Sequence, residues 1–333
     1  MSARVAVIGA GSWGTALAGL LAGKDYGVLL WSRGAEVAAS INGIRENRAY
    51  LPGVALPAGL RATTDLHEAL DQAELVVAVV PSHAMRETMD RAARVMRSDA
   101  LVVSASKGIE DDSLLTMHGV IAQAIGDGAR VGALSGPSFA VEVASGQPAV
   151  VVAAADTDGT AERVQHFFHA PMLRVYRSTD VVGVELGGVV KNVMAIATGV
   201  SDGLGYGLNA RAATITRGLA EIMRLAISMG GRPETLSGLA GIGDLVLTCT
   251  GDLSRNRQVG LRLGRGENID SILGSMRMVA EGVRNTKAVL NLARRQNVEM
   301  PIVECAYKVL YEGMPPGQAL EELFGRSLKP EFP

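Results

Sequence analysis

Cysteine is scarce in this chain: Cys249 and Cys305 are its two thiols, far apart and without C-x-x-C spacing. A disulfide framework is thereby excluded, and reduced thiols in a cytoplasmic protein are expected. Surplus charge is scarce too. Thirty-two basic and 34 acidic residues leave a net charge of -2, which argues against nucleic acid as the main partner, because a phosphate backbone is bound by a basic surplus. No low-complexity tract or repeat is visible. His67, His83, His118, His166 and His169 form no convincing metal set. The last two flank Phe167-Phe168 in what reads as a packed helix, so no metal is expected. Long uncharged runs are few. Val5 to Gly23 is one, but five glycines interrupt it, and no second apolar span is read after it. A strand, a turn and a helix account for it better than a signal peptide or membrane helix, so no membrane insertion is expected.

What the chain does have is apolar residues and glycine. A hydrophobic share of 48% against 20% charged describes a soluble globular protein, and 333 residues leave room for two domains. Residues 5–14 read Val-Ala-Val-Ile-Gly-Ala-Gly-Ser-Trp-Gly, an apolar strand running into Gly9-x-Gly11-x-x-Gly14 ahead of a helix-forming run. Gly9 permits a tight turn, Gly11 lets the backbone approach a pyrophosphate, and Gly14 lets helix and strand pack closely. The helix N-terminus adds N–H groups and partial positive charge. The unit predicts a dinucleotide site.

Short runs rich in Val or Leu recur at 4–8, 27–31, 75–80, 101–104 and 131–134, with helical segments between them. This alternation predicts an α/β fold, a doubly wound Rossmann-type domain over residues 1–180, with 149–154 and 174–176 extending the sheet. After residue 180 the segments read as helices without Val-rich strands between them. A mostly α-helical substrate-binding domain over 181–333 is expected, with a cleft between the two domains.

The second strand ends at Trp31-Ser32-Arg33, where an NAD-specific site places an acid for the ribose hydroxyls. Arg33 suits the 2′-phosphate of NADP instead, or is a surface arginine at a strand end. In the helix over 181–200 the charged residues are Glu185 and Lys191. They are six apart and so on different faces. If buried, Lys191 suits a general base that takes an alcohol proton as hydride leaves; the alternative is a lysine snorkelling to solvent. The adjacent Gly187-Gly188 points to close approach at the backbone. Further on, Ser254 reads as an N-cap with Arg255, Asn256 and Arg257 in the first turn, where cations oppose the helix dipole. A bound anion removes that conflict, which points to a phosphorylated substrate. Asp244 is the candidate to orient or balance Lys191. Lys107 and Ser138 fall on loops after strands, where ligands of open α/β sheets sit.

These segments resemble the NAD(P)-dependent glycerol-3-phosphate dehydrogenases of the bacterial type over nearly the full length. The resemblance is carried by GAGSWGTALA at the start, WSR, NRAYLPG, VPSHAMR, SKGIE, LSGPSFAVEV, ELGGVVKNVMAIATG, GLAGIGDLVLTCTGDLSRNR and VAEGV. It implies interconversion of sn-glycerol 3-phosphate and dihydroxyacetone phosphate with NADP or NAD, for glycerophospholipid synthesis, by a cytoplasmic homodimer. It makes Lys191 the proton acceptor, with Asp244 also catalytic. Substrate contacts would come from Lys107, Gly136, Ser138, Lys191, Asp244, Ser254, Arg255 and Asn256. Cofactor contacts would come from Gly9, Gly11, Ser12, Trp13, Gly14, Arg33, Tyr50, Lys107, Ala140, Arg255, Val279 and Glu281. The nearest rivals are β-hydroxyacid and ketopantoate reductases, which also use a helix-borne lysine; a non-catalytic NADP-binding sensor is a third.

Overall fold

The computed structural model describes residues 2–276, 278, 280–328, 330 and 331. Two compact units make up the chain: Met1–Gly188 with Gly231–Asp244, and Val189–Gly230 with Leu245–Pro333. The units therefore part later than the change of texture at residue 180, and a short segment returns to the first unit.

In the first unit the strands are β1 (Arg4–Ile8), β2 (Gly27–Trp31), β3 (Leu60–Thr63), β4 (Leu75–Ala78), β5 (Leu101–Ser104), β6 (Val131–Ser135), β7 (Ala149–Ala155) and β8 (Leu173–Ser178). They form one sheet in the order β3-β2-β1-β4-β5-β6-β7-β8. Helices α1 (Ser12–Ala22), α2 (Ala35–Ile44), α3 (Leu66–Leu70), α4 (Met85–Ala93), α5 (Met117–Ile125), α6 (Ala140–Ala144) and α7 (Asp158–Phe168) alternate with them. Successive side chains of a strand face opposite sides, and both sides are apolar here. Val5 and Val7 enter one core with Leu17, Leu21 and Leu75. Ala6 and Ile8 enter the other with Val76, Met85 and Met89. Two covered faces are why the strands read as continuous apolar runs.

Two features depart from the sequence reading. β3, an extra strand, escapes it because Leu-Arg-Ala-Thr is short and half polar. The pairing of β6 with β7 is antiparallel within an otherwise parallel sheet. Their link contains just the five-residue α6, too little helix for a parallel crossover.

Helix α8 (Val181–Gly203) starts in the first unit and ends in the second. Asp180 caps it, accepting from the Gly183 N–H at 2.8 Å, and also accepts from the Arg232 N–H at 2.8 Å. By length and composition α8 is a second apolar span, contrary to the sequence reading, and 89% of its most apolar window is buried inside the protein. Its apolarity is that of a core helix.

Beyond α8 come α9 (Leu208–Ser228), α10 (Pro233–Leu236), α11 (Asp244–Thr250), α12 (Arg255–Gly264), α13 (Ile269–Ser275), α14 (Glu281–Arg295), α15 (Pro301–Tyr311) and α16 (Pro316–Phe324). Of these, α10 and the first residue of α11 belong to the first unit. In the second, α12 lies against α8 with glycine on both sides. A Cβ at Gly199 would strike the Arg257 carbonyl, and one at Gly260 would strike the Ile196 carbonyl. That contact seats the start of α12 beside the part of α8 that carries Lys191.

The buried carboxyl of Glu221, on α9, accepts from the Ile302 and Val303 N–H groups at 2.8 and 3.3 Å and so caps α15. Burial pushes its pKa up from 4.5 to about 7, against those two hydrogen bonds. Between these values the folded chain keeps a proton that the unfolded chain releases. The contribution to stability is therefore full below pH 4.5 and is lost as pH rises through about 7. Glu221→Gln cannot titrate, so thermal unfolding from pH 4 to 8 should show the wild type losing stability relative to it. Parallel pH profiles for the two proteins would count against this assignment.

Candidate active site

The glycine turn behaves as its spacing predicts. Gly9 has φ +118, and a Cβ there would lie 2.5 Å from the Val79 carbonyl oxygen. At Gly14 a Cβ would collide with the carbonyl of Gly9. Around Gly11 a Cβ would meet nothing within 4 Å. Two of the glycines thus serve the protein's own packing, and Gly11 leaves its side open to a ligand. Gly11 is also the N-cap of α1, without a side-chain cap, and such a helix start favours an anion. Ser12 Oγ donates to the Tyr50 carbonyl at 2.5 Å. Asn47, buried in the same loop, donates to the Ala10 carbonyl at 2.9 Å and to Thr15 Oγ1 at 2.8 Å. The loop bearing Tyr50 is thereby held against the glycine turn. Trp13 packs on the core at its edge. Arg33 is exposed between β2 and α2, on a turn closed by the hydroxyl of Ser32, which donates to the Gly34 carbonyl and accepts from the Gly34 N–H.

Lys107 follows β5, and its Nζ donates to Asp244 Oδ2 at 2.7 Å. Asp244 is wholly buried and opens α11 after the Leu239–Gly243 turn. The structure thus makes Lys107 a partner of Asp244. Gly136, with φ +137, turns the chain after β6. Ser138 Oγ donates back to the Gly136 carbonyl at 3.0 Å, and Ala140 begins α6. Close approach at Gly187-Gly188 is real, but the protein supplies it. A Cβ at Gly187 would strike the Ala240 carbonyl, and one at Gly188 would lie 2.6 Å from Ser135 Oγ.

In the second unit Lys191 is 7% exposed, so it does not snorkel. The neighbouring Asn192 is equally buried, and its Oδ1 accepts from Asn256 Nδ2 at 3.0 Å. Asn256 Oδ1 accepts from the Gly282 N–H at 3.0 Å. Asn256 therefore ties α8, α12 and α14 together. Ser254 is the N-cap of α12, accepting from the Arg257 N–H at 3.2 Å. The residue Arg255 is exposed overall, yet the surroundings of its guanidinium lower its pKa by desolvation, while the charge of Glu281 acts the other way. Glu281 begins α14. Arg257 departs from the reading of the corner as an anion site. Its guanidinium donates to Asp202 Oδ2 at 2.8 and 3.0 Å and to Asp252 Oδ1 at 2.9 Å, so it is spent on the fold. Val279 lies outside the described residues. Burial pushes the Cys249 thiol, on α11, up to about 11, while a hydrogen bond to Thr198 and the charges of Lys191 and Arg257 pull it down. Among the described residues no cluster of His, Cys, Asp or Glu suits a metal ion.

Sequence reasoning missed Asn192 and Asn47. A signal existed for the first, a polar residue beside the lysine of an apolar helix. Asn47 gave none, because its role needs the folded loop.

The model of the C-terminal region of NAD-dependent glycerol-3-phosphate dehydrogenase matches residues 180–321, and that of the N-terminal region matches 4–161. A glycerol-3-phosphate dehydrogenase, NAD(P)+, of Geobacter sulfurreducens is 53% identical over 333 residues, covering 99% of each chain. One from Geobacter sp. (strain M21) is 52% identical with the same coverage. The crystal structure of glycerol-3-phosphate dehydrogenase from Coxiella burnetii superposes with a TM-score of 0.93 at 41% identity, covering 98% of this chain and 99% of that one.

Proposed function

The chain belongs to the NAD-dependent glycerol-3-phosphate dehydrogenase family, an oxidoreductase interconverting sn-glycerol 3-phosphate and dihydroxyacetone phosphate with NAD or NADP, and we propose that Lys191 is its proton acceptor. The observation that carries this reading is the burial of Lys191, 7% exposed on the mostly apolar helix α8. In oxidation Lys191 takes the C2 hydroxyl proton while hydride leaves C2. In reduction, protonated Lys191 stabilises the charge that develops on the ketone oxygen and then gives up its proton. Nicotinamide, when bound, supplies the hydride donor or acceptor. The open side of Gly11 and the uncapped start of α1 fit its pyrophosphate. Gly9, Ser12, Trp13, Gly14, Tyr50, Ala140, Val279 and Glu281 complete the proposed cofactor contacts.

Lys107 and Asp244 serve as a charge pair that meets the substrate, with Gly136 and Ser138 on the adjoining loop. Ser254, Arg255 and Asn256 take the phosphate at the start of α12, where helix dipole and guanidinium act together. Arg255→Ala should raise the KM for dihydroxyacetone phosphate at least about tenfold, the size of one charge-assisted contact, with a smaller cofactor effect. Unchanged KM values for both would remove the anchor. Arg33 is assigned to the 2′-phosphate of NADP. Arg33→Asp should lower the NADPH-to-NADH ratio of kcat/KM about tenfold or more, and an unchanged ratio would refute the assignment.

A homodimer in the cytoplasm, supplying glycerol 3-phosphate for glycerophospholipid synthesis, is part of the same proposal. The buried α8 and the near-zero net charge support the absence of membrane insertion and of nucleic acid as partner. Light scattering on the purified protein tests the dimer. Steady-state assays with dihydroxyacetone phosphate, against ketopantoate and with each reduced cofactor, test the activity itself.

A further inference from the structure

Ser135 ends β6, one residue before the Gly136 turn. It is 5% exposed, and its Oγ has no hydrogen-bond partner among the described residues. Leaving a buried hydroxyl unsatisfied is costly, and alanine would serve a purely structural position better. The fold nevertheless keeps room for the hydroxyl. A Cβ at Gly188 would lie 2.6 Å from Ser135 Oγ, and 3.5 and 3.6 Å from Cδ and Cε of Lys107. The bare glycine therefore lets the hydroxyl and the lysine stem share one spot against α8. From there Lys107 reaches Asp244 at 2.7 Å. The spot also lies at the carboxyl end of a strand in an open α/β sheet, the edge at which ligands bind.

We propose that the Ser135 hydroxyl donates a hydrogen bond to an oxygen of the three-carbon phosphorylated substrate, beside the Lys107 ammonium. It is a substrate-binding residue additional to Gly136 and Ser138. The inference rests on the assignment of Lys107 to the substrate. The carboxamide oxygen of nicotinamide offers the same acceptor chemistry, and the experiment separates the two sources.

Ser135→Ala removes one oxygen and leaves the strand intact. With dihydroxyacetone phosphate varied at saturating reduced cofactor, its KM should rise about tenfold, the equivalent of one lost hydrogen bond. The kcat should stay within about twofold of wild type, on the same reasoning that binding rather than chemistry is weakened. Fluorescence titration with NADPH in the absence of substrate should give an unchanged Kd. Ser135→Cys, which keeps the volume and a weak donor, should fall between the two proteins. An unchanged substrate KM in Ser135→Ala overturns the proposal. So does a raised NADPH Kd with substrate KM intact, since the hydroxyl would then serve the cofactor. If Ser135→Ala loses its near-ultraviolet dichroism, Ser135→Cys decides by the same criterion. Wild type assayed in parallel keeps the two readings apart. A wild type inactive on dihydroxyacetone phosphate sinks the substrate assignment, whereas an active wild type with an indifferent Ser135→Ala sinks the inference alone.

Discussion

Lys191→Ala is expected to lower kcat for dihydroxyacetone phosphate reduction by at least about a thousandfold, since general acid–base catalysis contributes about 10²–10⁴ and charge stabilisation a further large factor. Binding of NADPH should be nearly unchanged, because the glycine turn and the start of α1 lie in the other unit. The same substitution should not unfold the protein. It leaves in place Val190, Met194 and Ala195, the buried apolar residues of the same stretch of helix. Stopped-flow turnover, NADPH fluorescence and a melting curve on one preparation separate these quantities. A kcat within tenfold of wild type would end the role of Lys191 as proton acceptor. Loss of both turnover and NADPH binding would mean that the helix had been damaged and its chemistry left unexamined; Lys191→Met, of similar length, then repeats the comparison.

The second large effect concerns Lys107 and Asp244. Lys107→Met should destabilise the protein by about 3 kcal/mol, since it takes the ammonium away from a carboxylate that has no exposed surface. It should also cut kcat/KM steeply. Lys107→Met with Asp244→Asn removes both charges and should recover most of the stability, because an uncharged pair needs no compensation in the interior. Activity should not recover with it. The contrast assigns stability to the balance of the pair and catalysis to the charges themselves. A single Lys107→Met as stable as wild type would show that the pair does not hold α11 to the loop after β5. An active double variant would remove both residues from the site.

Much of this was legible in residue patterns. The dinucleotide turn is local: strand, three glycines and helix are contiguous, although Gly9 also makes room for the Val79 carbonyl from the neighbouring strand's end. The sheet was legible because its strands are buried on both faces, and such strands carry no alternation to confuse with a surface. β3 was not, since an edge strand with Arg61 and Thr63 lacks that signature. The antiparallel β7 was hidden for another reason. A Val and Ala run reads alike in either direction, and direction follows from the length of the link before it.

Lys191 shows where local reading stopped. A lone cation in an apolar helix was visible in the sequence, but only burial rules out snorkelling, and burial depends on what packs around the helix. Gly187-Gly188 looked like room for a ligand and turned out to be room for Ala240 and Ser135, which no spacing relates to them. Arg257 and Arg255 were alike as two basic residues of one helical turn, until Asp202 and Asp252 claimed the first. Asp244 takes the ammonium of Lys107 from 137 positions away.

The sequence by itself determined the class of fold, the cofactor turn and the cast of polar residues. These depend on composition, period and contacts between near neighbours. The tertiary structure decided which polar residue meets which, and which cations are spent on the fold. Those outcomes depend on distances between residues remote in the chain, and a charge in the interior is stable or costly according to the partner that packing brings to it.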